Sequence, residues 1–283
     1  MVYSIGKENL VVKIDEQGAE LISVCFDGKE RLWQNQTGDW AGHSPVLFPV
    51  CGNSTIIVDG KTYPLIRHGF ASRYTFQTVE KGETFVKMRL CSDESTLALY
   101  PYEFELMYTY SVNGNALTIE HEVRNLSNRE MYFSMGGHES FNLDEDVDGY
   151  ELRFSENEQF IHRPHDPEEG LLTGEVCLLG EGKVLSLPKD LLQNSATVIL
   201  TGITSNRVDL YKKTGEKLVE VYFDGFKNLL LWRPMNAKMI CIEPWKTTPD
   251  MVGKQDVEFS QKQGVEKLAA KQTFQTKRKI CYF

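Results

Sequence analysis

No apolar run in this 283-residue chain reaches about 18 residues, so the sequence carries no helical membrane span. The first 14 residues also lack an apolar stretch. Lys7, Glu8 and Lys13 interrupt them, and they do not read as a secretory leader. Closely spaced cysteines are missing too. The six lie at 25, 51, 91, 177, 241 and 281, without a C-x-x-C pair, which excludes a zinc knuckle or a dense disulfide framework. Scattered thiols of this kind suit a reducing, cytoplasmic setting, each acting as a small hydrophobe. Basic surface is equally scarce: the net charge is −9, and the only dense basic run is Lys277-Arg278-Lys279. Nucleic acid and anionic membranes are therefore not expected partners.

Alternation of apolar and polar residues is what the chain has in quantity. Period-2 runs occupy residues 9–15, 20–27, 74–79, 84–90, 150–154, 197–200, 207–212, 218–223, 228–232 and 239–243. Two further runs in residues 104–124 meet at Asn113-Gly114-Asn115, where Asn-Gly supplies the positive φ angles of a tight hairpin. Helical signals are weak: residues 264–271 have helical composition, and residues 189–193 suffice for one turn. Many short strands without strand–helix alternation predict an all-β fold, a large antiparallel β-sandwich in one domain spanning residues 1–283. Two loops break the rhythm. Residues 144–149 are acidic and read as a solvated loop, with calcium the less favoured use because EF-hand spacing is missing. Residues 161–170 hold two prolines with His162 and His165, which read as a solvated loop rather than as substrate contacts.

Three stretches set ionisable groups among glycines, prolines and aromatics: residues 66–71, 134–141 and 240–245. Glu243 ends an apolar strand and precedes Pro244, so burial should raise its pKa toward the working range of a general base. His138 follows Gly136-Gly137, read as a bare backbone that lets a ligand approach. Its imidazole is the natural partner acid near neutral pH. Taken singly, His68 and His138 equally suit core histidines, Glu243 a salt-bridge partner, Trp232 a core ring and Arg67 a surface charge.

Taken together, these stretches resemble the aldose 1-epimerase (galactose mutarotase-like) family, especially its LacX-like bacterial branch. The resemblance runs from Gly18-Ala19-Glu20-Leu21-Ile22-Ser23 and Glu30-Arg31-Leu32-Trp33 through Trp40 and Ser44-Pro45-Val46-Leu47-Phe48-Pro49. It continues through Arg67-His68-Gly69-Phe70-Ala71, Gly136-Gly137-His138 with Phe141, Leu231-Trp232 and Ile242-Glu243-Pro244-Trp245. It implies a sandwich with the sugar site on a concave sheet face and a cofactor-independent interconversion of α and β anomers. His138 would be the acid and Glu243 the base. His68, Arg67, Trp232 and Asn53 would bind the sugar, with no metal, no cofactor, and a monomer or homodimer as the assembly. Three departures concern substrate choice. Ser54 stands where many members have arginine, and Ser72 intervenes before Arg73. The family's substrate-binding aspartate falls near Asn194 and Ser195, with Asp190 second. Free galactose or glucose is the expected substrate. A hexose-6-phosphate is the alternative, drawing on Arg67, Arg73, Arg163 and Arg233. A non-catalytic sugar-binding protein, and a metal hydrolase built on His68, His138 and Glu243, are less favoured; no HExxH-type spacing supports the latter.

Overall fold

The computed structural model describes residues 1–283 apart from Asn236 and the side chains of Asn194 and Ser195. Strands account for 50% of the residues and helix for 7%, as the alternation predicts for an all-β chain. One antiparallel sheet, 13-stranded among the described residues, dominates. From one edge it runs Glu139–Asn142, Met239–Trp245, Asn228–Trp232, Val198–Thr201, Tyr150–His162, Arg207–Lys212 and Lys217–Tyr222. It continues through Thr273–Tyr282, Ala116–Asn125, Phe104–Asn113 and Phe85–Cys91 to Gln77–Lys81, with Cys177–Ser186 added along Tyr150–His162. A four-stranded sheet of Val2–Lys7, Leu10–Asp15, Leu21–Phe26 and Lys29–Glu30 contributes Ile5, Leu10, Val12, Ile14 and Leu21 to the same core. The result is a β-sandwich whose main apolar cluster takes alternate residues from both sheets, the inward half of a period-2 pattern.

The hairpin at Asn113-Gly114-Asn115 forms, with the arms in register from Asn113 opposite Ala116 to Phe104 opposite Asn125; of the Asn-Gly pair only Gly114 takes a positive φ, +58°, because Asn113 belongs to the strand. Other elements differ from expectation. Residues 74–76 stay outside the strand, which begins at Gln77, because Tyr74 closes a 3-10 turn over Ala71–Arg73. Residues 264–271 form no helix. Glu266–Leu268 pairs with Met131–Phe133, and the Asn125 side-chain amide donates to the carbonyls of Leu268 and Ala269. An eight-residue helix is too short to stand alone, so tertiary pairing overrides propensity. The turn at 189–193 does form, as the 3-10 segment Lys189–Ser195. A short α-helix, Glu94–Leu99, was not expected. Its signal is a capping box, with the Asp93 carboxylate accepting from Thr96 N–H and the Thr96 hydroxyl accepting from Asp93 N–H.

The acidic loop is exposed at Asp144, Glu145 and Asp148, as expected of a solvated loop, but two of its carboxylates are held in ion pairs. Asp144 pairs with Lys29 and Lys212, while Asp146 pairs with Arg233 and Lys189.

Candidate active site

Three adjacent strands build the site. On the ladder between Glu139–Asn142 and Met239–Trp245, Glu139 pairs with Ile242, so one step further His138 comes opposite Glu243. Across Met239–Trp245, Leu230 pairs with Glu243 and Trp232 with Cys241. Alternation sends Ile240, Ile242 and Leu231 into the main core and turns Cys241, Glu243, Leu230 and Trp232 to the other face. There a cavity of about 250 Å³ opens, lined by Trp40, Arg67, His68, His138, Trp232 and Glu243 together with His165 and Thr197. Drug-sized ligands occupy roughly 300–1,000 Å³, so the occupant here is small.

His138 and Glu243 meet at the cavity floor, Nε2 to Oε1 3.3 Å, and both are buried. Burial pushes the Glu243 carboxyl up to about 8, against the opposing hydrogen bond that Trp245 Nε1–H donates to Oε2 at 3.1 Å. Burial pulls the His138 imidazole down to about 4. At neutral pH the two groups therefore share one proton, held on the carboxyl and facing a neutral ring nitrogen.

His68 is aimed by an unusual backbone. Its own φ is +64° and that of Gly69 is +80°, a left-handed pair in which a Cβ on Gly69 would lie 2.2 Å from the Phe48 carbonyl oxygen. His68 N–H donates to the Gly52 carbonyl at 2.8 Å, and Gly52 N–H donates back to His68 Nδ1 at 3.0 Å. Because Nδ1 accepts, the neutral ring carries its proton on Nε2 and offers a donor. Burial, then the neighbouring His138 and Arg67, hold its pKa well below the usual histidine range. The ring stacks on Trp245 at 5.3 Å and meets His138 edge-on at 5.6 Å.

The sequence-predicted residues come together, with one exception in rank. His138, Glu243, His68, Arg67 and Trp232 all line the cavity. Asn53 stands behind it: its Oδ1 accepts from Arg67 Nε at 3.3 Å, and its amide donates to the Glu169 carbonyl. It thereby ties Arg67 to the 161–170 loop. That loop also delivers His165 to the cavity wall, where a solvated loop was expected. His162 instead serves the sheet, accepting from Ile199 N–H at 3.1 Å. Trp40 was missed as a wall residue. Its ring lies 5.2 Å from both His138 and Trp232, and Gly42 makes room for it, since a Cβ there would fall 2.5 Å from the indole.

The reading of Gly136-Gly137 needs correction. A Cβ on Gly136 would sit 2.2 Å from the Trp245 ring, and one on Gly137 would sit 1.9 Å from Arg278. These glycines make room for the protein's own side chains rather than for a ligand. Of the arginines considered for a phosphate, only Arg67 is among the described lining residues; Arg233 is buried against Asp146. Ser54 bonds the Cys51 carbonyl at 3.0 Å, and Asp190 is exposed on the 3-10 segment outside the described cavity wall. The Asn194 and Ser195 side chains, the first choice for the missing aspartate, lie outside the described residues.

The architecture is that of galactose mutarotase-like proteins. A galactose mutarotase related enzyme from Lactobacillus acidophilus superposes with a TM-score of 0.92 at 26% identity, covering 100% of this chain and 97% of that one. A galactose mutarotase-like protein from Lactobacillus casei gives 0.93 at 27%, covering 100% of both. The family model described as Aldose 1-epimerase matches residues 1–265. The plasmid form of protein LacX from Lactococcus lactis subsp. lactis is 33% identical over 262 residues, 87% of each chain. The chain belongs to the aldose 1-epimerase family.

Proposed function

We propose that this protein opens and recloses the ring of a free hexose such as galactose or glucose, interconverting its α and β anomers, with His138 and Glu243 as the acid–base pair. The observation that carries this is the 3.3 Å His138–Glu243 contact in a small cavity of mixed polar and apolar lining. Opening a hemiacetal requires one proton delivered to O5 and one removed from the C1 hydroxyl. Both atoms are bonded to the anomeric carbon, so acid and base must converge on one spot. The shared proton matches that need. Passing from Glu243 to His138, it leaves a carboxylate to take the C1 proton and an imidazolium to protonate O5. The C1–O5 bond breaks, the aldehyde turns about C1–C2, and the roles reverse on closure. His68 Nε2–H and Arg67 supply donors for hydroxyls, and the Trp40 and Trp232 rings offer flat faces to the sugar's C–H surface. Free thiols throughout the chain agree with a reducing, cytoplasmic setting.

Polarimetry tests this directly. Freshly dissolved α-galactose or α-glucose should lose optical rotation faster with the protein, and Glu243→Gln or His138→Ala should remove the acceleration. A single lining arginine favours neutral sugars over phosphorylated ones, which need converging cations. No acceleration of any free aldose, with calorimetric binding confined to hexose 6-phosphates, would reject the neutral-sugar reading.

A further inference from the structure

The reaction proposed above uses His138 and Glu243 and leaves a third buried group beside them without a task. Cys241 lies two residues before Glu243 on the same strand face and is fully buried. A ligand atom from each of His138, Cys241 and Glu243 falls within 4.8 Å of the other two. We infer that the cavity floor is also a binding site for a thiophilic divalent cation, Zn²⁺ or its analogues Co²⁺ and Cd²⁺, held by these three side chains in competition with the sugar.

Distances support the assignment. Ligands on a tetrahedral zinc ion stand at roughly 2.0–2.3 Å from the metal and so about 3.3–3.7 Å from one another. His138 Nε2 and Glu243 Oε1, at 3.3 Å, are already so placed, and the thiol needs only a small side-chain movement. The donor set decides the ion. Magnesium and calcium take oxygen ligands, whereas imidazole, thiolate and one carboxylate select zinc-like metals. The surroundings fit as well. Trp245 engages Glu243 Oε2, which orients the carboxylate and leaves Oε1 for the ion. Trp33, Trp40, Trp232, Ala237 and Met239 pack around Cys241 as an apolar shell. Three protein ligands leave a fourth position toward the cavity, open to water. On binding, the thiol and the carboxyl release their protons to the buffer, and the ion then occupies both atoms that the ring opening needs. Only this inhibitory consequence rests on the epimerase reading; the ion site itself does not.

The test is a Co²⁺ and Cd²⁺ titration followed by absorption. Cys91→Ser and Cys177→Ser are introduced first, because those two thiols are exposed and would bind metal indiscriminately. A thiolate-to-metal charge-transfer band should saturate at about one ion per chain, with tetrahedral-type Co²⁺ bands in the visible. Cys241→Ala should abolish the thiolate band and weaken binding at least 10-fold, while metal-free mutarotation stays within about 2-fold. His138→Ala, on a different chain segment, should also weaken binding 10-fold, which covers the case in which Cys241→Ala does not fold. In turnover, the ion should raise KM rather than lower kcat alone. A missing thiolate band, or a band that survives both substitutions, overturns the site. Metal binding in a protein that accelerates no aldose would leave the site standing and refute the epimerase reading alone.

Discussion

His138 and Glu139 are neighbours in the chain, yet they build two very different buried pairs. His138 turns to the cavity and meets Glu243, while Glu139 turns into the sandwich core and pairs with Arg278. The core pair is bonded further: Glu139 also accepts from Ser44 Oγ at 3.2 Å, and Arg278 Nε donates to His121 Nε2 at 3.3 Å. A guanidinium stays charged at any accessible pH, so it offers its carboxylate a permanent counter-ion. Glu243 faces an imidazole and an indole instead, and burial pushes its pKa to about 8. Both are buried carboxylates, one on each side of the same ladder. A fixed cation makes one structural; a titratable partner leaves the other able to pass a proton.

The largest expected contrast is catalytic. Glu243→Gln and His138→Ala should each cut mutarotation by about 10²–10⁴-fold, the usual worth of one general catalyst, measured by polarimetry. Stability should reverse the order of importance. Arg278→Met strands the Glu139 carboxylate in the core and should cost about 3–5 kcal/mol in urea unfolding, with Glu139→Gln/Arg278→Met recovering most of it. Glu243→Gln should behave oppositely. The raised Glu243 pKa means that its retained proton favours folding below the ordinary carboxylate range, a contribution lost as pH rises toward 8. Glutamine cannot ionise, so the variant should unfold at a higher temperature than wild type at pH 9 and at nearly the same temperature at pH 4.

The pH profile sharpens the comparison further. The site pair holds one proton between about 4, where His138 gains a second, and about 8, where Glu243 loses its own. The rate constant kcat/KM should be flat across that window and fall on both sides, as a bell with macroscopic limbs near those values. A single limb near the ordinary histidine pKa would break the shared-proton account. The smallest effect is expected from Trp245→Phe. It removes the hydrogen bond that opposes the Glu243 shift, so the basic limb should move to higher pH, with a rate loss of about 10-fold or less.

Much of this contrast was legible in the sequence, and the part that was not has physical causes. Glu243 among apolar neighbours signalled a desolvated carboxylate, because such neighbours are local facts, although the strand does not end there and runs on through Pro244 to Trp245. The hairpin at Asn113-Gly114-Asn115 was legible for the same reason. Arg278 was not: it sits in a basic run at Lys277-Arg278-Lys279, and only its pairing opposite Ile119 shows that it faces inward while its neighbours face out. The glycines before His138 misled for a related reason. What fills the space beside a glycine comes from distant strands, here Trp245 and Arg278. Trp40 and His165 reach the site through long-range register and loop packing, which no window of the sequence reports. The helical composition of residues 264–271 lost to strand pairing for the same non-local reason.

The most direct test of the shared-proton mechanism is exchange NMR on galactose or glucose at anomeric equilibrium near pH 6. Catalytic wild-type protein should give cross-peaks between the α and β anomeric protons at mixing times where the free sugar gives none. Glu243→Gln, folded to the same spectrum, should return the exchange to the uncatalysed level. Undiminished exchange with glutamine at position 243 would contradict the account.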